Sequence, residues 1–443
     1  MKYTPQTVED VASALRAIGA SSVNELFSQI PEELLDPEIE LAEGLDEVAL
    51  LDRVRELASR NASPSTLLGG GLKKHFIPSV AKHLAFQSEF VTAYTPYQPE
   101  VSQGILQATF EYQTMMSELT GLPVSNASMY DGASAVAEAA LLAVRQTGRE
   151  RVIVTRGVHP ETREVLSTYL GALDIELSTL DLDERLTSRV EAVADDVAAV
   201  IAQQPNFLGY LEQMDGLASR AHASGALFIA VADPFSLALL KPPGEYGADV
   251  AVGDGQTIGN PLNFGGPHFG YMVVSDSLIR QLPGRIVGQT TDADGRRAFV
   301  LTLQAREQHI RRARAKSNIC SNHQLTALLA TINLAALGPQ GLKQAATAAV
   351  AAAHTLADEL EAAGYRVRRD ARFFDEFVVE LPAPARSTVE RLAASGVQAG
   401  LTVPAEYRLG EALLVGATEL TTDGERREFV SALGRVAPVG VAR

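Results

Sequence analysis

At 443 residues the chain exceeds the usual size of a single domain, so one large and one small domain is the expected plan. Its 54 acidic residues against 38 basic ones give a formal net charge of −16, which repels nucleic acid and anionic membrane surfaces. The single cysteine, Cys320, excludes an internal disulfide and any cysteine-based metal cluster.

Residues 1 to 65 read as two or three short helices punctuated by Pro31 and Pro37. The first residues, MKYTPQTVEDVASAL, lack the apolar core of a signal peptide, and no apolar run is expected to reach the ~18 residues of a membrane span. A cytoplasmic protein with no membrane partner is the expectation. Helical spacing follows over Leu106–Leu119 and, more strongly, over Asp131–Gln146. Strand and helix signals then alternate. RVIVT (151–155), DIELSTL (174–180), VAAVIAQ (197–203), ALFIAVA (226–232), ADVAVGD (248–254) and GYMVVS (270–275) are strands, with helices over Pro160–Leu170 and Gln213–Ala223. Continuous apolar strands separated by helices predict a mostly parallel central sheet with helices on both faces, over 66–340. After an alanine-rich helix from Leu342 to Ala363, the strands RVRR, EFVVEL and ALLVGA interleave with helices near Ser387–Ala394 and Asp423–Leu433. That pattern predicts a small C-terminal α/β domain over 341–443.

Four motifs carry candidate chemistry. LLGGGLKKHFIP (67–78) reads as a glycine turn; it lacks the Gly-Lys-Ser/Thr ending of a P-loop. TAYTPYQPEVSQG (92–104) is held extended by Pro96 and Pro99 and crowds Tyr94, Tyr97, Gln98, Glu100, Ser102 and Gln103 together. It is either the wall of a site or a turn whose tyrosines cap a core. In ALFIAVADPFSLALLKPPGEYGADVAVGDGQTIG an apolar strand ends at Asp233, and no lysine stands between Lys241 and Lys316. In REQHIRRARAKSNICSNHQ (306–324), Arg306, Arg311, Arg312 and Asn318 are candidates for an interface or an anion site, and Cys320 reads as a buried thiol. Asp131 is placed to cap the helix behind it, which would occupy the N–H groups that an anion needs. His75 and His83 lack metal-ligand spacing and read as structural.

YTPYQPEVSQG, the KPPGEYGAD–GQ–FGGP–G run and REQHIRR–SNIC, in that order, resemble the signature of the glycine decarboxylase family, the P-protein of the glycine cleavage system. The likeness is greatest to the first of the two subunits into which many bacteria split that enzyme. It implies a fold-type-I, aspartate-aminotransferase-like architecture of the pyridoxal-phosphate-dependent enzymes. It implies that glycine is decarboxylated on pyridoxal phosphate and that the aminomethyl group passes to the lipoyl arm of the H-protein. In such folds an acid at the Asp233 position pairs with the cofactor's pyridine nitrogen, and the cofactor lysine lies near Gln256-Thr257. Thr257 cannot form a Schiff base. The resemblance therefore implies a subunit whose cofactor is bound covalently by a lysine-bearing partner, most simply with two copies of each. Tyr94, Tyr97, Gln98, Glu100, Ser102 or Gln103 would then contribute to a shared site. Two alternatives stay open: a scaffold that only stabilises its partner or docks the H-protein, and a self-sufficient enzyme using Lys241 or Lys316.

Overall fold

Backbone polar groups can be buried only when paired, so the apolar runs in the middle of the chain assemble side by side into a sheet. The computed structural model describes residues 5–35, 37–61, 64–91, 95–319 and 322–439; Tyr94 and Cys320 lie outside them. The strands in chain order begin with β1 (Ser65–Leu67), β2 (Val124–Ser125), β3 (Arg151–Thr155), β4 (Glu176–Leu180) and β5 (Val197–Gln204). Next come β6 (Leu227–Ala232), β7 (Val250–Asp254), β8 (Gly270–Val274), β9 (Ile286–Thr291) and β10 (Arg297–Thr302). The last five are β11 (Arg366–Val367), β12 (Glu376–Glu380), β13 (Val397–Ala399), β14 (Leu401–Thr402) and β15 (Ala412–Gly416).

Seven strands form the central sheet in the order β2-β8-β7-β6-β5-β3-β4. Pairing is parallel from β4 through β7, and β8 and β2 add antiparallel at one edge. Successive side chains point to opposite faces, and both faces are covered. Val152, Val154, Ile201 and Val252 pack with Val136, Ala139 and Leu142 of the helix Gly132–Thr147. Ile153, Val200 and Phe228 pack with Met214, Leu217 and Ala221 of the helix Met214–Ala223. The fold is therefore α/β with a mostly parallel sheet.

A second sheet, β11-β12-β15-β14, is antiparallel and covers its own core of Phe377, Val379, Leu413 and Val415. Strand β1 pairs with β13, so residues 65–67, some 330 positions upstream, belong beside this smaller sheet. The helix Gln324–Ala362 runs between the cores: Ala327, Ala330 and Ala346 pack with Tyr112, Phe269 and Tyr271, and Leu356 and Leu360 pack with Phe377. Gly338, at φ 62°, and Pro339 break it midway. By length and composition alone this helix is long and apolar enough to cross a membrane, contrary to the expectation from the sequence. Its break and its buried alanines and leucines account for the apolarity as core packing.

The contacts divide the chain at residue 62 into two units, Met1–Ala62 and Ser63–Arg443. Within the first, the helices Val8–Ile18 and Glu47–Ser59 bury no residue, so Val8, Leu41, Leu45 and Val48 remain exposed.

Gly209 stitches the segment after β5 to the start of β12. At φ +90°, its Cβ would lie 2.0 Å from the Glu376 carbonyl oxygen. Gly209→Ala should lower the unfolding free energy by at least about 2 kcal/mol in urea titrations; parent-like stability would show that the two segments separate freely.

Candidate functional site

Glycine freedom at positions 69–71 is what lets a charged side chain enter the interior. Gly70 and Gly71 both have φ +101°, and a Cβ at Gly69 would meet Leu414 at 2.7 Å. Their N–H groups donate to Glu376 Oε1, at 2.8 Å from Gly70 and 3.2 Å from Gly71. Two residues on, Lys73 is buried and its Nζ lies 2.7 Å from Asp375 Oδ1, 3.9 Å from Glu376 and 4.0 Å from Asp233. Burial alone would depress this amine; the charges of Asp375, Glu376 and Asp233 outweigh it and hold the pKa above the ordinary lysine value. Burial pushes Asp375 up to about 6, against the pull of Lys73 and with the help of Glu376 and Asp233.

The position of an expected cofactor lysine supports this cluster. Gln256, buried, accepts from the Lys73 N–H at 3.1 Å and donates to the Lys73 carbonyl at 2.8 Å. Thr257 donates to Asp233 Oδ1 at 2.5 Å. Asp233, which the sequence left as an acid near a turn, thus faces an internal ammonium and an internal hydroxyl. The nearby helix Gly132–Thr147 is closed as well: Asp131 accepts from Ser134 N at 2.8 Å, and Asp254 accepts from Gly132 N at 3.3 Å and Gln256 N at 2.9 Å. Burial raises the pKa of Asp254, with the Gln256 N–H opposing. Two carboxylates occupy the donors that an anion would use.

A second cluster forms where the tyrosine segment meets the β9–β10 hairpin. Gln103 clamps β10, with its amide donating to the Phe299 carbonyl at 2.9 Å and accepting from the Phe299 N–H at 2.8 Å. Gln113 makes the same pair of bonds to Val287 on β9. Arg285, buried just before β9, donates to Thr95 Oγ1 at 3.0 Å and to the Tyr97 hydroxyl at 3.2 Å; its guanidinium lies 5.1 Å from the Tyr97 ring centre. Arg306 donates to the carbonyls of Leu282 and Gly284, the latter at 2.8 Å. The segment 282–285 thereby holds the tyrosine segment and the REQHIRR motif together. Glu307 is buried beside it; burial raises its pKa, opposed by Arg306, His309 and Arg285.

The candidate residues separate by role. Tyr97 is 55% exposed, so its hydroxyl is fixed by Arg285 while its ring stays accessible. Gln98 and Glu100 are exposed beside it, and Ser102 is half-buried at the start of the helix Gln103–Thr120. Gln103 is committed to the β10 backbone and is structural. Arg306 and Arg311 line a cleft of about 340 Å³ with Arg280, Arg314 and Lys316, whereas Arg312 and Asn318 are exposed and do not line it. His75 bonds Glu419 at 2.9 Å and packs on Phe235, a structural role, and His83 bonds Gln87 within its own helical turn. Among the described residues no group of three His, Cys, Asp or Glu could hold a metal. Lys73 and Arg285 were missed in the sequence; the one available signal for Lys73 was a lysine behind three glycines, and Arg285 had none.

This architecture is that of the fold-type-I pyridoxal-phosphate enzymes. The solved alanine–glyoxylate aminotransferase of Nostoc aligns over 85% of the chain and 96% of its own, at TM-score 0.59 and 15% identity, a likeness of fold alone. The crystal structure of an inhibitor-bound glycine decarboxylase (P-protein) of the glycine cleavage system aligns over 98% of this chain and all of that one, with TM-score 0.90 and 51% identity. The probable glycine dehydrogenase (decarboxylating) subunit 1 of Carboxydothermus hydrogenoformans is 47% identical over 98% of this chain and 99% of its own. That of Moorella thermoacetica is 48% identical over 98% and 99%. The family model of the glycine cleavage system P-protein matches residues 1–433. The chain belongs to the glycine cleavage system P-protein family, on the branch of glycine dehydrogenase (decarboxylating) subunit 1.

A carboxyl whose pKa is raised by folding, here Asp375, keeps a proton in the folded chain that the unfolded chain releases. Its contribution is fully present below the unfolded value near 3.8 and is lost as pH rises through about 6. Relative to Asp375→Asn, the parent should lose up to about 3 kcal/mol of stability between pH 4 and 7 in urea titrations. A difference that stays flat across that range would mean that Asp375 does not carry the proton.

Proposed function

We propose that this chain is the subunit of glycine decarboxylase without a cofactor lysine, acting with a lysine-bearing second subunit that holds pyridoxal phosphate, two copies of each. The observation that carries this reading is the closure of the chain's own cofactor-type cleft. Lys73 stands against Asp233 where a ring nitrogen would pair, Thr257 stands where the lysine is expected, and Asp131 and Asp254 fill the helix N-terminus. These residues do not fit the cofactor. Exposed apolar residues in the N-terminal unit, and at Phe76, Phe86 and Val101, support an assembly that covers them. We read 66–340 as the large domain and 341–443 as the small one, with β1 packed on the small sheet.

In the complex, glycine loses its carboxyl as carbon dioxide and the aminomethyl group passes to the lipoyl arm of the H-protein. Pyridoxal phosphate, when bound by the partner, supplies the electron sink for that decarboxylation. This chain contributes the Tyr97–Gln98 face. Phenol and amide groups can hydrogen-bond a small zwitterion without adding a fixed charge. Arg285 orients the Tyr97 hydroxyl from beneath, and the prolines leave little backbone entropy to lose. The complex is assigned to the cytoplasm, where a chain of net charge −16 stays clear of anionic surfaces. A scaffold role would leave this face without influence on turnover.

Two outcomes follow. Borohydride reduction of the isolated chain with pyridoxal phosphate, read by mass spectrometry, should give no stoichiometric pyridoxyl-lysine, and an adduct at Lys241 or Lys316 would overturn the assignment. Tyr97→Phe and Gln98→Ala in the assembled complex should each lower glycine decarboxylation roughly tenfold to a hundredfold with assembly intact. Turnover within twofold of the parent in both would favour the scaffold.

A further inference from the structure

In a chain this acidic, five cations gathered in one cleft are unexpected. Arg280, Arg306, Arg311, Arg314 and Lys316 line the 340 Å³ cleft together with Leu303 and Ala305. Among the described residues, none of the five forms an ion pair. Arg306 and Arg311 spend donors on backbone carbonyls, Arg311 on Ala305 at 2.8 Å, and Lys316 bonds the Gln281 amide oxygen at 2.5 Å. A sixth cation, Arg145, donates to the Lys316 carbonyl at 3.0 Å. Partial burial, then the charges of Arg145, Arg311 and Arg306, lower the Lys316 pKa; the carboxylates that act on this group of cations are the buried Glu307, on Arg306, and the buried Glu138, on Arg145.

The cleft adjoins the tyrosine face. Arg306 grips Leu282 and Gly284, the residues next to the Arg285 that holds Tyr97. Arg280, Arg311, Arg314 and Lys316 are all exposed, and so is Ile310, 51% open on the helical turn between Arg306 and Arg314. Exposed, hydrated cations bind a free small anion weakly; a macromolecular surface that seats several carboxylates at once, beside an apolar contact, gains from each.

We propose that this basic cleft seats an acidic segment of the second subunit and steers assembly of the complex. The inference rests on the two-subunit reading above and adds the surface and the charge of the partner.

The test is assembly of the full complex from the two purified subunits, followed by light scattering and by calorimetry across salt concentration. The parent should weaken at least about tenfold as salt rises from about 50 to about 500 mM. The triple variant Arg280→Glu, Arg314→Glu, Lys316→Glu should assemble at least about tenfold more weakly at low salt and lose most of that salt dependence. Circular dichroism and melting of the variant alone verify that it folds. The charge-neutral Arg314→Gln, Lys316→Gln variant should fall between the two. Parent-like assembly by the triple variant overturns the proposal. So does a salt effect confined to the encounter with the H-protein, or tight binding of inorganic phosphate by the isolated chain with assembly unaffected. If the subunits never associate at any salt concentration, the two-subunit reading itself fails, a result distinct from a complex that forms and ignores these charges.

Discussion

Four charged groups, one ammonium and three carboxylates, meet in the interior around Lys73, and the rest of the molecule is arranged to make that tolerable. Removing ions from water costs several kcal/mol each, and the attraction between them offsets the cost only if every group is fixed and hydrogen-bonded. The chain meets this condition from four directions for all but Asp233 Oδ2, a buried oxygen with no hydrogen-bond partner among the described residues. Gly70 and Gly71 hold Glu376, Gln256 holds the Lys73 backbone, Thr257 holds Asp233, and Asp375 takes the Nζ itself. The cluster thereby ties the end of β6 to the start of β12, and so the central sheet to the small sheet. On the proposed reading the same geometry fills the cleft in which a cofactor would otherwise sit.

Much of the central sheet was legible because its strands are continuous apolar runs, and a strand buried on both faces needs no other signal. The helix Gly132–Thr147 was legible because Asp131 announces its start. The β9–β10 hairpin was not. Its residues, IVGQTT and RAFVLT, are partly exposed and alternate weakly, and the turn over Asp292–Gly295 was not weighed as one. The long C-terminal helix was read from Leu342, which is only its second half; Gly338-Pro339 looks like a boundary in sequence but is a kink in the folded chain.

The candidate site was legible where composition concentrated it and illegible where tertiary pairing made it. Crowded tyrosines and arginines drew attention to 94–103 and 306–318 without any structure. Lys73 pairs with Asp375 across 302 residues, and Arg285 reaches Tyr97 across 188, so no local period encodes either contact. The amide of Gln103, in the same segment, is spent on β10, a role that sequence proximity cannot separate from ligand contact.

On the proposed reading, in which the partner holds the cofactor, the residues around Asp233 read as a single solution to the problem of staying folded. Without Lys73 and Thr257, Asp233 would be a largely enclosed carboxylate with neither that cation nor that hydroxyl facing it, a costly unpaired charge. Bringing in Lys73 restores a cation, and doing so needs glycines upstream to pass under Leu414 and a second acid, Asp375, to hold the new ammonium. With those present the interior charges engage one another, and the contacts proposed with other molecules lie at the surface. They are the Tyr97 face and the cations around Arg306, which share the 282–285 segment as their support. A cofactor held by the partner subunit would thereby be compatible with function at the edge of this chain.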